Sequence, residues 1–429
     1  MSDVLLMVLF LISLLAIIAS GVWIGVALLI GACLAMMMFS PLPYWPSFVL
    51  ETWDVATSWS LTSLPLFILM GEILARTKLG ENLFQGLTPL CRRLPGGLLH
   101  VNVAGSAFFS TITGSSAATV STVGKITIPE LKQRGFSEQR ILGTLAGAGT
   151  LGLLIPPSIT LIVYGITANV SVADLFIAGV LPGIVLAILF MLYIAITSGK
   201  DKHTKSSQDN EKRLSFFGSI SLLMPIISLM FLVMGSIYGG YATPTEAAAI
   251  GVTGALIIAY KHKVLTWKLM SDAALNAVCT TAMIALILLG SSMITMAMEF
   301  TGIPTVLAKS ISTLDISKPM LIIILTLFYI LLGCFLDGIS SITLTMSVIQ
   351  PLLLHYGIDL IWFGIFIIIV VEMAQITPPI GINLFVLQSM TGKSIASIAR
   401  ATTPMFFIML SMIGVIYVFP ELIHFLIKE

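Results

Sequence analysis

The sequence contains little charge. Only 10% of its 429 residues are Asp, Glu, Lys or Arg, whereas 57% are hydrophobic. A soluble globular chain carries about 25% charged residues, because its surface has to face water. We therefore expect this chain to be surrounded by the lipid bilayer. The net charge of +1 gives no broad basic surface, so we expect no nucleic acid partner.

Signs of a catalytic or metal centre are also missing. The five histidines have no cysteine or acidic residue at the spacing of metal ligands, and no catalytic triad pattern is found. We expect no enzymatic activity. The longest polar stretch, residues 198–213, is too short to form a soluble domain. We interpret four widely spaced cysteines as small hydrophobic residues: Cys33, Cys91, Cys279 and Cys334.

Long apolar runs, in contrast, recur from one end of the sequence to the other. A transmembrane helix needs about 20 apolar residues to cross about 30 Å of hydrocarbon. The sequence therefore predicts an all-α polytopic membrane protein. We interpret the first run as a retained helix, because it lacks the basic flank and cleavage site of a signal peptide. The runs cover residues 4–39, 60–74, 141–168, 175–196, 215–237, 245–260, 273–298, 360–387 and 402–419.

Lysine and arginine are distributed unevenly between the loops. Cytoplasmic loops of membrane proteins are enriched in both residues. Placing the N- and C-termini in the periplasm assigns 17 of the 21 basic residues to cytoplasmic loops. Residues 98–129 have basic residues on both flanks, so we expect a re-entrant hairpin that enters and leaves on the cytoplasmic side. Residues 320–350 resemble this segment and would enter from outside.

The two halves of the sequence share landmarks. GSSAAT begins at residue 114 and GISSIT at residue 338, and a Pro-Pro pair follows each after 42 and 40 residues. The predicted first repeat is residues 1–198, the cytoplasmic linker 199–214 and the second repeat 215–429. Each repeat would have five membrane crossings and one hairpin, so the odd number inverts the second repeat. Inverted repeats with broken helices are typical of secondary transporters.

These landmarks supply oxygen ligands. A Pro-Pro pair inside a membrane helix removes backbone donors and leaves carbonyl groups without partners. Free carbonyls and hydroxyls suit alkali cations, and the helix N-termini at the hairpin tips suit an anion. The alternative is that the small residues only permit close helix packing. The repeated hydroxyls, which suggest two cation sites, are Ser115, Ser116 and Thr119 and then Ser340, Ser341 and Thr343.

Several ionisable residues lie in or near apolar segments. We predict Asp337, beside the second tip, to be a site residue, because charges at membrane depth are costly and usually functional. Glu246 follows Thr-Pro-Thr and fits the first turn of a helix. Lys125 would attract a carboxylate or extend to the cytoplasmic surface. The roles of Glu72 and Glu372 stay open.

Six stretches together resemble the large membrane subunit of tripartite ATP-independent periplasmic (TRAP) transporters over nearly the whole chain. One departure is Leu131, where the resemblance suggests methionine. The stretches are GSSAATVSTVGKITIPELKQRGF (114–136), LGLLIPPSITLIVYG (151–165), LFIAGVLPG (175–183), YGGYATPTEAAAIG (238–251), LDGISSITLT (336–345) and QITPPIGINLF (375–385).

The resemblance implies a sodium-driven importer of an organic acid, such as a C4-dicarboxylate or sialic acid, in the bacterial inner membrane. It implies Na⁺ as the coupling ion, a periplasmic substrate-binding protein and a separate small membrane subunit of the Q type. It also implies an elevator motion of a transport part against a scaffold, with residues 41–59 and 264–271 as horizontal arms. The alternatives are a stand-alone sodium–dicarboxylate symporter and, from another class, a channel or intramembrane enzyme.

The landmarks and the resemblance together predict the site residues. The expected sodium ligands are Ser115, Ser116, Gly152, Ile155, Pro156, Gly333, Asp337, Thr377 and Pro378. The expected substrate contacts are Ser116, Thr119, Ser158, Ser340, Ser341 and Asn383.

Overall fold

The computed structural model describes residues 13, 16–17, 20–39, 45–198, 216–301, 316–379 and 381–427. Helices dominate this part of the chain, which contains no strand, so the predicted all-α class is confirmed. Most of the first predicted helix, the whole linker 199–214 and residues 302–315 lie outside the described residues. The helices of the first half are α1 (Ile24–Phe39), α2 (Trp45–Thr57), α3 (Trp59–Ala75), α4 (Leu79–Cys91), α5 (Leu99–Thr113), α6 (Ser116–Gln133), α7 (Glu138–Thr150), α8 (Ile159–Ala168) and α9 (Val172–Thr197).

The second half continues with helices of the same kinds. They are α10 (Phe216–Tyr238), α11 (Pro244–Lys261), α12 (Trp267–Thr301), α13 (Lys318–Gly333), α14 (Gly338–His355), α15 (Leu360–Gln375), α16 (Ile382–Thr391), α17 (Ile395–Val418) and the short α18 (Glu421–His424). Within the described residues, five helices are long and apolar enough to cross a membrane, or six when α2 and α3 count as one bent span. The chain is therefore a multi-pass membrane protein.

A pair of helices covers each predicted hairpin segment, and the re-entrant course of these segments stays a prediction. α5 and α6 cover the first, and α13 and α14 cover the second. The apolar runs 141–168 and 360–387 are each interrupted at their Pro-Pro pair, where the Pro156-Pro157 and Pro378-Pro379 bonds are cis. The first interruption contains one 3₁₀ turn, Leu151–Leu153, between α7 and α8. The inverted relation of the two halves and the elevator motion remain predictions.

The two expected horizontal arms differ from each other. In the first, α2 meets α3 at a bend of 48°. In the second, residues from Trp267 onward already belong to α12, which continues unbroken for 35 residues. The reason lies in the sequence, because no proline or glycine occurs in α12 before Gly290.

Two hydrophobic clusters hold the helices together. The smaller cluster joins α1 to α12 through buried residues such as Leu28, Met36 and Ile294. Its helices approach closely, because a Cβ at Gly290 would lie only 2.7 Å from the carbonyl oxygen of Gly25. The larger cluster includes the hairpins, the broken helices and α3, α4, α10 and α11.

Helix α15 lies at the centre of the larger cluster. Every residue from Trp362 to Gln375 is buried, and the helix packs against α8, α9, α13, α14 and α17. A helix that is apolar on all sides needs such an enclosed position. The first interruption lies in the interior of the protein, where exposed backbone groups avoid lipid. At the second, Ile376 is buried, whereas Pro378 and Pro379 are exposed.

Candidate functional site

The first hairpin turns at Gly114 and Ser115. Gly114 ends α5 with a φ of 57°, a left-handed conformation that glycine adopts without strain. Ser115 then caps α6, and its Oγ accepts a hydrogen bond from the amide of Ala118 at 3.4 Å. The Thr119 hydroxyl donates to the Ser115 carbonyl at 2.9 Å and lies 3.0 Å from the Thr113 hydroxyl. These bonds hold the tip in one conformation.

The tip of the first hairpin packs against the first interruption. A Cβ at Gly152 would lie 2.5 Å from the Cβ of Ser110, and one at Gly114 would lie 3.0 Å from Ile159 Cγ1. Ser158 opens α8, where its Oγ donates to the Leu153 carbonyl at 2.5 Å and accepts from the Leu161 amide at 3.3 Å. The predicted sodium ligands of the first half therefore lie in one region, formed by the hairpin tip and the first interruption. They are Ser115, Ser116, Gly152, Ile155 and Pro156.

The second hairpin turns at a carboxylate. Asp337 caps α14 by accepting hydrogen bonds from the amides of Ile339 at 3.1 Å and Ser340 at 3.4 Å. The Ser340 hydroxyl also donates to it. In this conformation Asp337 therefore stabilises the start of α14, a role that is compatible with a site beside it. Ser341 is fully buried, and its hydroxyl has no hydrogen-bond partner in the described part of the chain.

The second tip packs against the second interruption. The thiol of Cys334 points to the carbonyl of Pro378, with the sulfur 3.3 Å from the oxygen. A Cβ at Gly333 would lie 2.6 Å from the Cβ of Ala374, and one at Gly338 would lie 3.9 Å from the side-chain nitrogen of Gln375. The predicted sodium ligands of the second half therefore also lie in one region. They are Gly333, Asp337, Thr377 and Pro378.

One hydrogen bond connects the two groups. The Ser116 hydroxyl donates to Asn383 Oδ1 at 2.8 Å, and the amide nitrogen of Asn383 donates to the Ala146 carbonyl at 3.3 Å. Both Ser116 and Asn383 are buried. The sequence predicted both residues as substrate contacts. In the structure they are hydrogen-bonded to each other although 267 positions separate them in the sequence.

Glu372 is the most unusual polar residue in this region. Its side chain is completely buried in α15, and neither carboxyl oxygen has a hydrogen bond of ordinary geometry within the described residues. The polar groups that face it are the Thr150 hydroxyl and the Leu154 amide at the first interruption. Glu372 stands six residues before Pro378, as Thr150 stands six before Pro156. The sequence analysis missed Thr150, although this shared offset was a signal that could have found it.

The other ionisable residues have structural explanations. Glu246 and Thr243 form a capping box at the start of α11, as the Thr-Pro-Thr pattern suggested. Glu72 forms an ion pair with Arg76 and accepts from Asn276 at 3.2 Å. Lys125 is exposed on α6. None of these three residues contacts the tips or the interruptions through a described hydrogen bond.

The comparisons with known proteins agree with this arrangement. A family model of the tripartite ATP-independent periplasmic transporter, DctM component, matches residues 11–422. The C4-dicarboxylate TRAP transporter large permease protein DctM of Pseudomonas aeruginosa is 29% identical over 392 residues, which cover 91% of each chain. The sialic acid TRAP transporter large permease protein SiaM of Vibrio cholerae is 27% identical over 368 residues, which cover 85% of each chain.

A third relative is longer than this chain. The isethionate TRAP transporter permease protein DctMQ of Oleidesulfovibrio alaskensis is 28% identical over 362 residues, which are 83% of this chain but only 56% of that protein.

Solved structures share the fold at low sequence identity. The YdaH transporter of Alcanivorax borkumensis matches with a TM-score of 0.64 at 14% identity, over 96% of this chain and 99% of its own. MtrF of Neisseria gonorrhoeae matches with a TM-score of 0.56 at 10% identity, over 94% of each chain. Likeness at such identities concerns the fold alone. The family model, in contrast, covers both hairpins and both interruptions, and the chain therefore belongs to the DctM family, the large membrane permease component of TRAP transporters.

Proposed function

We propose that the chain imports an organic acid, a carboxylate such as a C4-dicarboxylate or sialic acid, and that a sodium gradient drives the import. The observation that carries this proposal is the packing of each hairpin tip against a helix interruption. Membership of the family supports it, and relatives are named for C4-dicarboxylate and for sialic acid.

Sodium would bind at two places. Near the first tip the ligands would be Ser115, Ser116, Gly152, Ile155 and Pro156. Near the second they would be Gly333, Asp337, Thr377 and Pro378. Hydroxyl, carbonyl and carboxylate oxygens are hard ligands that fit an alkali cation, and prolines at both interruptions cannot donate a backbone N–H. The Ser341 hydroxyl, which has no hydrogen-bond partner among the described residues, adds an oxygen beside the second group.

The substrate carboxylate would bind between the tips. The contacts would be Ser116, Thr119, Ser158, Ser340, Ser341 and Asn383. α6 and α14 begin at the two tips, and a helix N-terminus presents amide groups and a partial positive charge to an anion. A sodium ion beside each N-terminus increases that positive potential. By thermodynamic linkage the anion then strengthens sodium binding to the same degree.

Partners complete the proposed system. A separate small membrane subunit would stabilise the chain in the bacterial inner membrane, and a periplasmic substrate-binding protein would deliver the acid. The proposal also includes an elevator motion. The hairpins and broken helices would move, and the outer helices would brace them.

Transport in proteoliposomes tests the proposal. The chain and its small subunit are reconstituted together, and uptake of a labelled acid is measured with and without the binding protein. We expect uptake only with an inward sodium gradient and with the binding protein. Equal uptake when potassium replaces sodium would contradict sodium coupling, and full uptake without the binding protein would favour a stand-alone symporter.

A further inference from the structure

Gln375, the last residue of α15, has a polar side chain that the packing leaves unsatisfied. The residue is only 7% exposed, and its amide oxygen Oε1 is buried without a hydrogen-bond partner in the described part of the chain. Burying a polar atom without a partner is unfavourable, so such an atom in a folded protein needs a reason. One reason is that the oxygen binds a ligand.

The side chain of Gln375 lies beside the second hairpin tip. A Cβ at Gly338 would lie 2.5 Å from Val371 Cγ1 and 3.9 Å from Gln375 Nε2. Val371 and Gln375 are four residues apart, so they lie on one face of α15. This face therefore packs against the start of α14, where Gly338 directly follows Asp337. The Gln375 amide group is thus next to the tip that carries a proposed sodium ligand.

The backbone beyond Gln375 folds back on the end of α15. A Cβ at Gly381 would lie 2.6 Å from the carbonyl oxygen of Gln375 and 2.9 Å from that of Thr377. Two carbonyl oxygens of the second interruption therefore lie close to the same point. Because Thr377 is a proposed sodium ligand, Gln375 belongs to the same turn as that ligand.

The second interruption has a buried side and an exposed side. Gln375 and Ile376 are buried. Pro378 and Pro379, which follow shortly after, are exposed. An ion that entered from the exposed side would meet Gln375 at the inner wall. A neutral oxygen suits this position, because a second carboxylate beside Asp337 would be repelled by it whenever the ion has left.

The first interruption has an apolar residue at the same position. Counted from the proline pairs, Leu153 corresponds to Gln375 and Ser158 corresponds to Ile380. The Ser158 hydroxyl donates to the Leu153 carbonyl at 2.5 Å, whereas isoleucine has no hydroxyl to donate to the Gln375 carbonyl. Leucine and glutamine are of similar size, so packing at a proline interruption does not by itself require an amide. The amide therefore points to a task of the second half.

We propose that Gln375 Oε1 is a further ligand of the second sodium ion, beside the four ligands already assigned to it. This inference rests on the proposed sodium coupling. An amide oxygen is a hard, neutral ligand of the kind that such cations bind. The substrate carboxylate does not suit this oxygen, because both groups only accept hydrogen bonds.

Sodium-dependent stability of the purified full chain tests this ligand. Sodium chloride replaces potassium chloride at constant ionic strength, and the Tm is measured at each sodium concentration. An ion that binds the folded state raises the Tm, so the titration gives a half-saturating sodium concentration. Gln375→Leu, which inserts the residue found at position 153, should raise this concentration about fivefold, as expected for the loss of one polar interaction. The half-saturating sodium concentration for uptake should rise in parallel.

A matched variant controls for the substitution itself. Gln388→Leu makes the same change at a half-buried residue of α16, and its sodium titration should match that of wild type. Without sodium, Gln375→Leu should have a Tm equal to or above that of wild type, because the change removes a buried oxygen without a partner. A Tm that is lowered equally in sodium and in potassium would assign Gln375 to packing or to a bound water and would overturn the proposal.

Gln375→Glu keeps an oxygen at nearly the same place and provides the test if the leucine variant does not fold. Its half-saturating sodium concentration should be at or below the wild-type value, because a carboxylate attracts a cation more strongly than an amide does. An increase in this concentration would overturn the proposal.

Failure of this inference differs from failure of the proposed function. A wild-type Tm that does not respond to sodium would overturn both. A wild-type response together with an unchanged half-saturating concentration in folded Gln375→Leu would overturn only the assignment of Gln375.

Discussion

The two hairpin tips differ in their turns and in their charge. The first turn consists of Gly114 and Ser115, whereas the second covers residues 334–337. The first begins α6 with the neutral Ser115 and the second begins α14 with the carboxylate of Asp337. Each tip packs against a helix interruption that contains a cis Pro-Pro bond. The two tips can therefore hold sodium sites of different strength. A sodium ion would keep its full charge at the first tip and would be largely neutralised at the second.

The two interruptions also differ, both in how the next helix is capped and in the charge of a nearby residue. At the first, the Ser158 side chain caps the next helix, whereas at the second α16 begins at Gly381 without a side-chain cap. The residue six positions before the Pro-Pro pair also differs. It is Thr150, a hydroxyl, in the first half and Glu372, a carboxyl, in the second. In both comparisons the second half carries the acidic group. We therefore expect substitutions in the two halves to differ in their effects on uptake and on its sodium dependence.

The largest effect is expected from Ser116→Leu at the first tip. The position is buried and hydrogen-bonded to Asn383, so a larger side chain displaces the tip and blocks the site. Sodium-driven uptake should fall to less than about one tenth of wild type. Ser116→Ala should cause a smaller loss, with a stability cost of about 1 kcal/mol for the lost hydrogen bond.

Uptake and Tm are measured on the same purified variants. Ser121→Leu, a change on the partly exposed part of α6, is the control and should transport normally. Normal transport by Ser116→Ala together with a low Tm for Ser116→Leu would indicate that Ser116 serves only packing.

A smaller effect is expected from Asp337→Asn, which tests the difference in charge directly. Asparagine also caps helices well, so the Tm should change little. Removing the charge should raise the half-saturating sodium concentration about tenfold. The free energy that corresponds to this change is a modest part of the attraction between unit charges a few ångströms apart. Ser115→Ala, the matched change at the first tip, should raise it less. Equal shifts for both variants would contradict the proposed asymmetry.

Glu372→Gln is expected to separate stability from transport. The amide keeps the shape of the side chain but removes a carboxyl that has no ordinary hydrogen bond in its buried surroundings. The Tm should therefore stay the same or rise, because burying an uncompensated ionisable group is unfavourable. Uptake should fall about tenfold if the acid is retained for function at the expense of stability. Glu81→Gln, on the exposed surface of α4, is the control, and unchanged uptake would assign Glu372 a structural role.

The smallest effect is expected from Glu138→Gln, at the ion pairs outside the interior. Hydrogen bonds from Lys132 and Lys393 lower the pKa of Glu138. A carboxylate with a lowered pKa stabilises the folded state above its ordinary pKa, and this contribution is lost as the pH falls through the lowered value. Glu138→Gln should remove at most about 1 kcal/mol, because the pairs are partly exposed.

The difference between wild type and Glu138→Gln should be constant near neutral pH. It should decline once the pH falls below the ordinary pKa of glutamate and disappear below the lowered pKa of Glu138. Tm measured against pH checks this. A difference that grows on acidification would contradict the assigned sign.

The helix pairs at the two predicted hairpins begin and end near the predicted bounds, because their ends have local signals. Basic residues flank the first hairpin, Gly114 lies in the first turn, and Gly338 follows the second turn as the first residue of α14. The structure places α5 and α6 over residues 99–133 and α13 and α14 over 318–355, against predictions of 98–129 and 320–350. The tips and both proline interruptions could be predicted for the same reason, since turn chemistry is encoded in a few neighbouring residues.

Contacts between distant residues could not be predicted in this way. Ser116 and Asn383 were chosen separately, and their hydrogen bond depends on how α6 packs on α16. Helix α12 shows the opposite limit, because the resemblance implied a separate arm over residues 264–271 although no local residue ends the helix there. Helix packing is determined by whole faces of side chains, which a single sequence does not match to their partners.

The position of the Thr150 hydroxyl opposite the Glu372 carboxyl has a consequence for the ancestry of the chain. If both halves descend from one ancestral protein that assembled as a symmetric pair, the position six residues before the proline pair would have faced its own copy. A glutamate there would have set two buried acids against each other, which is strongly unfavourable. Joining the copies into one gene would have allowed one position to keep its acid while its mate became a hydroxyl, a combination that an assembly of identical chains cannot reach.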